Sequence, residues 1–225
     1  MSGIFVTGTD TAAGKTILSA ALLAAMCAAG EKVRAHKPVL TGADTPPSGP
    51  WPADDELLAL ACGMDAQDVT PVRYGPAVSP HLAAALAGEK LDRASIVDNA
   101  RAAERKCRIL ILEGVGGLLV PLLENFTICD LAVELGYPVL IAARPGLGTI
   151  NHTLLTLHAA REAQLDVRAV VLTPWPDRPS PLECSNLRTI GRLGTIEVAR
   201  LPYLQGPNPA GLAQAGAKLP FRRWL

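Results

Sequence analysis

Hydrophobic residues along this chain fall into short, nearly unbroken runs, separated by longer stretches in which apolar positions recur at helical spacing. The runs GIFVTG (residues 3–8), KVRAHKPV (32–39), CRILILEG (107–114), PVLIAA (138–143), VRAVVLT (167–173) and TIEVARLP (195–202) predict six strands. Rich in Val, Ile and Leu, they lack the polar alternation of a half-wet sheet, so helices are expected to cover both faces. The intervening segments predict helices over residues 15–29, 54–62, 80–87, 93–106, 129–135, 150–164 and 181–192. Gly30 stands just past the first of these, where a helix C-terminal glycine belongs. The alternation implies an α/β fold: a doubly wound, mostly parallel sheet with helices on both faces, of the P-loop NTPase type. ADTPPSGPWPADD (43–55) reads as a Pro-rich loop, and the tail from residue 207 to 225 is too weakly patterned to place.

Composition narrows this picture. At 225 residues, nearly half of them apolar, the chain suffices for one sizeable core, so residues 1–225 are expected to form a single domain. Lys plus Arg equal Asp plus Glu at 21 each, leaving no global field to attract nucleic acid or an anionic membrane. The five cysteines (Cys27, Cys62, Cys107, Cys129, Cys184) are scattered, odd in number and never spaced as C-x-x-C. That argues against a disulfide framework and a structural zinc, and for a reducing cytosol. No leader or bilayer-spanning run is evident, so a cytoplasmic location is expected.

The candidate chemistry begins in VTGTDTAAGKT (6–16). A phosphate loop needs glycines that let the backbone approach the phosphates and a following helix whose N-terminus favours anions. Here a strand feeds the loop and a good helix follows it, placing Lys15 on the β- and γ-phosphates and Thr16 on Mg²⁺. Five residues rather than four separate Gly8 from Gly14, which marks a subclass of the motif. In LILEGVGG (110–117), Glu113 ends a buried strand at the same sheet edge, where ligands of open α/β sheets bind, and a carboxylate there can hold magnesium. Lys37 in HKPVLTG (36–42) ends a strand at that edge too, where a second ammonium can stabilise charge on a transferred group; a solvated strand-end lysine is the alternative.

TGTDTAAGKT, HKPVLTG, SPHLAAAL (79–86), EGVGGLLVPL (113–122) and GLGTINHTLLTL (146–157) together resemble the successive signatures of the dethiobiotin synthetases, over residues 3–204. The five-residue spacing before Gly14 is a feature of that family's loop. The resemblance implies an ATP-dependent cyclo-ligase of biotin biosynthesis that joins CO₂ to 7,8-diaminononanoate (7,8-diaminopelargonate) and closes the ureido ring of dethiobiotin, releasing ADP and phosphate.

It also implies roles for residues. Lys15 and Lys37 flank the reacting oxygens, with Lys37 the most chemically sensitive, while Thr16, Asp54 and Glu113 hold Mg²⁺. Ala12, Ala13, Gly14, Ile17, Gly114, Val115 and Gly116 belong to the nucleotide site, and Thr173, Pro174, Pro202, Tyr203 and Leu204 to its base end. Thr11 and Thr41 contact the diamine or its carbamate. Gly148, Thr149 and Asn151 receive the far carboxylate, supplied across a homodimer with shared active sites. In the metal set, Asp54 and Asp55 are adjacent and either could reach the ion; Asp54 is preferred, and N-capping with the helix dipole is the alternative explanation of two such carboxylates. Thr173 stands where many relatives carry an asparagine that reads adenine, and a threonine lacks the amide's paired donor and acceptor, so base selectivity stays open. His152, without an acid or metal partner at suitable spacing, reads as structural.

Two other readings compete with this one. A partition or positioning ATPase switch of the same superfamily usually carries an extra lysine early in the loop, where this chain has Thr9 and Asp10. A glutamine-dependent amidating ligase needs a glutaminase nucleophile and base, and no C-terminal stretch here is long enough to supply that domain.

Overall fold

The computed structural model describes residues 2–46 and 49–225. In chain order, β1 (Ser2–Gly8) leads through the phosphate loop to α1 (Lys15–Ala28), then β2 (Val33–His36), β3 (Leu40–Thr41), α2 (Asp54–Cys62), α3 (Ala66–Val69), β4 (Arg73–Tyr74), α4 (Pro80–Leu86) and α5 (Arg93–Glu104). There follow β5 (Ile109–Glu113), β6 (Pro121–Leu123), β7 (Phe126–Thr127), α6 (Ile128–Leu135), β8 (Val139–Ala143), α7 (Thr149–Glu162), β9 (Val167–Trp175), α8 (Pro181–Gly194), β10 (Glu197–Pro202) and α9 (Pro209–Gly216).

Each of the six runs contributes a strand to one parallel sheet, ordered β10-β9-β8-β1-β5-β2. Successive side chains of a strand point to opposite faces, and here both faces are dry. Ile4, Val6, Ile109, Ile111, Leu140 and Ala142 enter one core, with Leu18, Leu22 and Leu57 from α1 and α2. Phe5, Leu110, Leu112, Val139 and Ile141 enter the other, with Ile96, Leu131 and Leu157 from α5, α6 and α7. Unbroken apolar runs are what such strands require, and the expected doubly wound α/β class follows.

One strand is shorter than expected. The run 32–39 leaves the sheet after His36: the Lys37 N–H donates to the Val69 carbonyl at 2.9 Å, Pro38 has no N–H, and the Leu40 N–H goes to Val72. The chain thereby turns into a two-stranded parallel patch, β3 with β4, set apart from the main sheet.

The weakly patterned tail is ordered. The Asn208 side chain caps α9 by accepting from the Ala210 N–H, and Pro209 opens the helix. α9 lies on α1, where a Cβ at Gly216 would overlap the Ala21 carbonyl oxygen, and Trp224 beyond it is buried in the α1-side core. Pro47 and Ser48 of the Pro-rich loop lie outside the described residues. Among the described residues no helix is long and apolar enough to cross a membrane, and all five cysteines are free.

Candidate functional site

The C-terminal ends of β1, β2 and β5 deliver the phosphate loop, Lys37 and Glu113 to one crevice. Ala12 (φ +57°) and Gly14 (φ +91°) take left-handed conformations in the loop, a backbone form that turns successive N–H groups toward one side. Glycine is needed at 14 for a second reason: a Cβ there would come within 2.5 Å of the Thr173 methyl carbon. Gly14 is also the N-cap of α1, so the helix opens onto the crevice with no side chain over its first N–H groups.

Four side chains form a connected charged cluster. The Lys37 ammonium donates to Glu113 Oε1 at 2.7 Å and lies 2.9 Å from Asp54 Oδ2. The Thr16 hydroxyl donates to the same Glu113 oxygen at 3.0 Å. Lys37 and Glu113 are fully buried, while Asp54 is partly open to the cleft. Burial alone would lower the Lys37 pKa, but Asp54 and Glu113 outweigh it and hold the lysine firmly protonated. Burial likewise opposes the Asp54 charge, and Lys37 overrides it, so that carboxyl sits below its ordinary value.

Lys15 differs. Its ammonium donates to the Asp10 carbonyl at 3.2 Å, and burial followed by the Lys37 charge lowers its pKa to about 8. Two lysines share the crevice, and only Lys37 is neutralised by direct carboxylate partners.

The other buried oxygen of the pair, Glu113 Oε2, has no hydrogen-bond partner. An unsatisfied buried carboxylate oxygen is costly, and the same carboxylate is joined through Oε1 to the Thr16 hydroxyl and, by way of Lys37, to Asp54. These donors are all hard oxygens and only two are carboxylates, which suits magnesium sharing its shell with phosphates and water. Among the described residues no group of three or more His, Cys, Asp or Glu side chains is placed to hold a metal ion. The donor chemistry of Thr16, Asp54 and Glu113 fits such a shared magnesium.

The cleft beside this cluster has a volume of about 920 Å³ and is lined by Thr11, Thr41, Ser79, Val115 and Gly116 together with Lys15, Thr16, Lys37 and Asp54, while Glu113 is fully buried. Asp55 does not face it. That carboxylate is completely buried and hydrogen-bonded to Arg73, so of the two adjacent acids Asp54 is the one at Lys37. Arg73 and Trp51 also border the cleft, and the sequence reading missed both, while it took Ser79 only as the start of a signature; a basic residue shortly before SPHLAAAL was the available signal.

The segment at Gly148 is not brought into this cleft. Gly148 (φ +88°) is the N-cap of α7, and Thr149 borders a separate depression of about 520 Å³ with Asp10, Arg144, His152 and Pro174. Asn151 and His152 are exposed, and Leu147 is 91% exposed. At the ends of β9 and β10, Thr173 is buried against the phosphate loop while Pro202, Tyr203 and Leu204 lie nearer the surface, Tyr203 the most exposed.

A family model described as an AAA domain matches residues 2–209. The ATP-dependent dethiobiotin synthetase BioD of Anaeromyxobacter sp. (strain K) is 39% identical over 227 residues, covering 98% of this chain and all of that one. Its namesake in Mycobacterium sp. (strain JLS) is 37% identical over 229 residues, covering 100% and 98%. Among solved structures, cell division protein ftsY of Thermotoga maritima superposes with a TM-score of 0.50 at 17% identity, over 96% of this chain and 68% of that one. That last likeness speaks to the fold alone.

Proposed function

We propose that this chain, which belongs to the ATP-dependent dethiobiotin synthetase family, condenses CO₂ with 7,8-diaminononanoate and closes the ureido ring of dethiobiotin with cleavage of ATP. One amine captures CO₂ as a carbamate, losing a proton. A carbamate oxygen attacks the γ-phosphate, ADP leaves, and the second amine attacks the carbonyl carbon of the mixed anhydride, expelling phosphate.

The observation that carries this reading is the burial of Lys37 between Asp54 and Glu113, next to Lys15 and Thr16. Carbamate and triphosphate are both anions, so their approach is opposed unless fixed cations lie between them. Lys37 is prealigned for that task and held protonated by its carboxylates. Lys15 reaches the β- and γ-oxygens from the loop. Thr16, Asp54 and Glu113 would hold a magnesium, which would supply positive charge against the triphosphate. Thr11 and Thr41 offer hydroxyls to the diamine from the cleft wall, and Ala12, Ala13, Gly14, Ile17, Gly114, Val115 and Gly116 frame the nucleotide.

A second copy of the chain completes the site. Exposed Leu147 and Asn151, with the α7 N-terminus at Gly148 and Thr149, suit a surface covered by a partner, where the positive end of the helix can take the diamine's carboxylate. Operation in a reducing cytoplasm accords with the five free, scattered cysteines. ADP release by the purified protein with MgATP and bicarbonate tests the reading: it should rise at least about tenfold on adding the diamine. A nucleotide switch of the partition or positioning type would hydrolyse ATP at a rate indifferent to the diamine, and that result would end the ligase assignment.

A further inference from the structure

Asp54 and Asp55 are the first two residues of α2, and they serve opposite sides. Consecutive helical positions are rotated by about 100° about the axis, so the two carboxylates leave the helix in different directions. Asp55 is fully buried, bonded to the Arg73 guanidinium, and its Oδ1 also accepts from the Glu56 N–H at 3.1 Å. The helix has no conventional cap: its N-cap is Ala53, whose side chain carries no oxygen, and beside the Asp55 contact the turn is closed locally by Ala53 N–H to Glu56 Oε2 at 3.2 Å. Arg73 thus holds the first turn from outside the helix on the side away from Lys37, which meets Asp54.

Arg73 stands on β4, opposite Leu40, and the next pair in register is Thr41 with Tyr74. One ion pair therefore ties the patch carrying Thr41 to the turn carrying Asp54. We propose that Arg73 is a positioning residue: acting through Asp55, it sets the rotation of the first turn of α2 and so aims Asp54 at Lys37 and the phosphate loop. Without the guanidinium the first turn of α2 loses the tether that fixes its rotation against β4, and Asp54 is no longer held on Lys37.

The inference rests on the ligase reading only for what the site does in turnover. Its test uses Mn²⁺ as a probe of the magnesium position together with a non-hydrolysable ATP analogue, so it requires neither diamine nor product. Mn²⁺ binding to the full chain is followed by electron paramagnetic resonance, and melting temperature is recorded alongside. Arg73→Met should raise the Mn²⁺ dissociation constant about tenfold, the scale found when a partner orienting a metal ligand is lost. The double variant Arg73→Met/Asp55→Leu, apolar at both positions, should regain the melting temperature and keep the weakened Mn²⁺ binding. Arg73→Lys, which retains the charge, should bind Mn²⁺ within about threefold of the parent. Parental Mn²⁺ affinity in Arg73→Met, or its recovery with the melting temperature in the double variant, would reduce the pair to a structural contact and overturn the proposal. If Arg73→Met does not fold, comparing the double variant with Arg73→Lys decides in the same way: weakened binding in the first alone supports positioning, and equal binding in both overturns it.

Discussion

Lys37 follows β2, Glu113 ends β5, and their side chains meet at 2.7 Å with almost no solvent contact. Charges so placed are costly to desolvate, and the arrangement is tolerable because the ammonium has two carboxylates around it and Thr16 adds a hydrogen bond. A buried pair like this adds little to stability by itself. It makes sense as a cation held ready in a dry crevice.

Replacing Lys37 by Met should lower kcat by about a thousandfold at saturating MgATP, the scale of losing a preorganised transition-state contact. It also strands Glu113, at a stability cost of about 3–5 kcal/mol. Magnesium with nucleotide should recover part of that, so the variant's melting temperature should respond to MgATP more than the parent's does. Steady-state rates and thermal melts check both; turnover within tenfold of the parent would remove Lys37 from the chemistry.

Lys15, with a pKa of about 8 set mainly by burial, predicts proton-linked nucleotide binding. Near pH 8.5 most of the free protein carries a neutral Lys15, and a bound triphosphate restores its charge. ATP binding should then take up roughly half a proton or more, falling toward zero at pH 7. Calorimetry in buffers of different ionisation enthalpy measures the uptake, and Lys15→Arg should abolish it. The same shift makes stability rise with pH between about 8 and 10.5, where the unfolded chain binds the proton more tightly than the folded one.

His36, buried with Nε2 unpartnered, has its pKa lowered to about 4 by burial and then by the Arg34 charge. Between pH 6.5 and 4 the unfolded chain therefore binds the extra proton, and stability must fall as pH falls through that window, by about 3 kcal/mol in total. Urea unfolding at pH 7 and pH 4.5 should show the loss. In His36→Gln the difference should shrink by most of that amount, and an unchanged difference would assign the acid sensitivity elsewhere.

Gly216→Ala should destabilise the fold by about 1–3 kcal/mol, the usual cost of forcing an atom into a packed contact. The obstacle is the Ala21 backbone, which cannot swing aside as a side chain can. Chemical denaturation reads the loss, and a variant as stable as the parent would show that α9 is free to lift off α1.

How far the sequence could be read follows from where its signals are local. The six strands were legible because burial on both faces demands continuous apolar runs, and the phosphate loop because its glycine, lysine and threonine act at fixed spacing. β2 ends at His36 rather than at residue 39, since what breaks it is Lys37 turning its N–H to Val69, a partner far along the chain. α9 gave no clear pattern because its apolar content is mostly Ala and Gly, small residues suited to close approach to α1 rather than to a strong periodic stripe. The choice between Asp54 and Asp55 could not be made from their adjacency. Arg73, 18 positions beyond Asp55, decides which acid turns inward.

On this reading two cations and a metal-bound triphosphate turn captured CO₂ into a cyclic urea within one crevice. Mass spectrometry of the product formed from ¹³C-bicarbonate, MgATP and 7,8-diaminononanoate probes that chemistry without an intermediary. Dethiobiotin should form carrying a single ¹³C in its ureido carbon, one-for-one with ADP, and should be absent with Lys37→Met. Folded protein that binds the nucleotide yet yields no labelled ring, or yields it equally without Lys37, would refute the assignment.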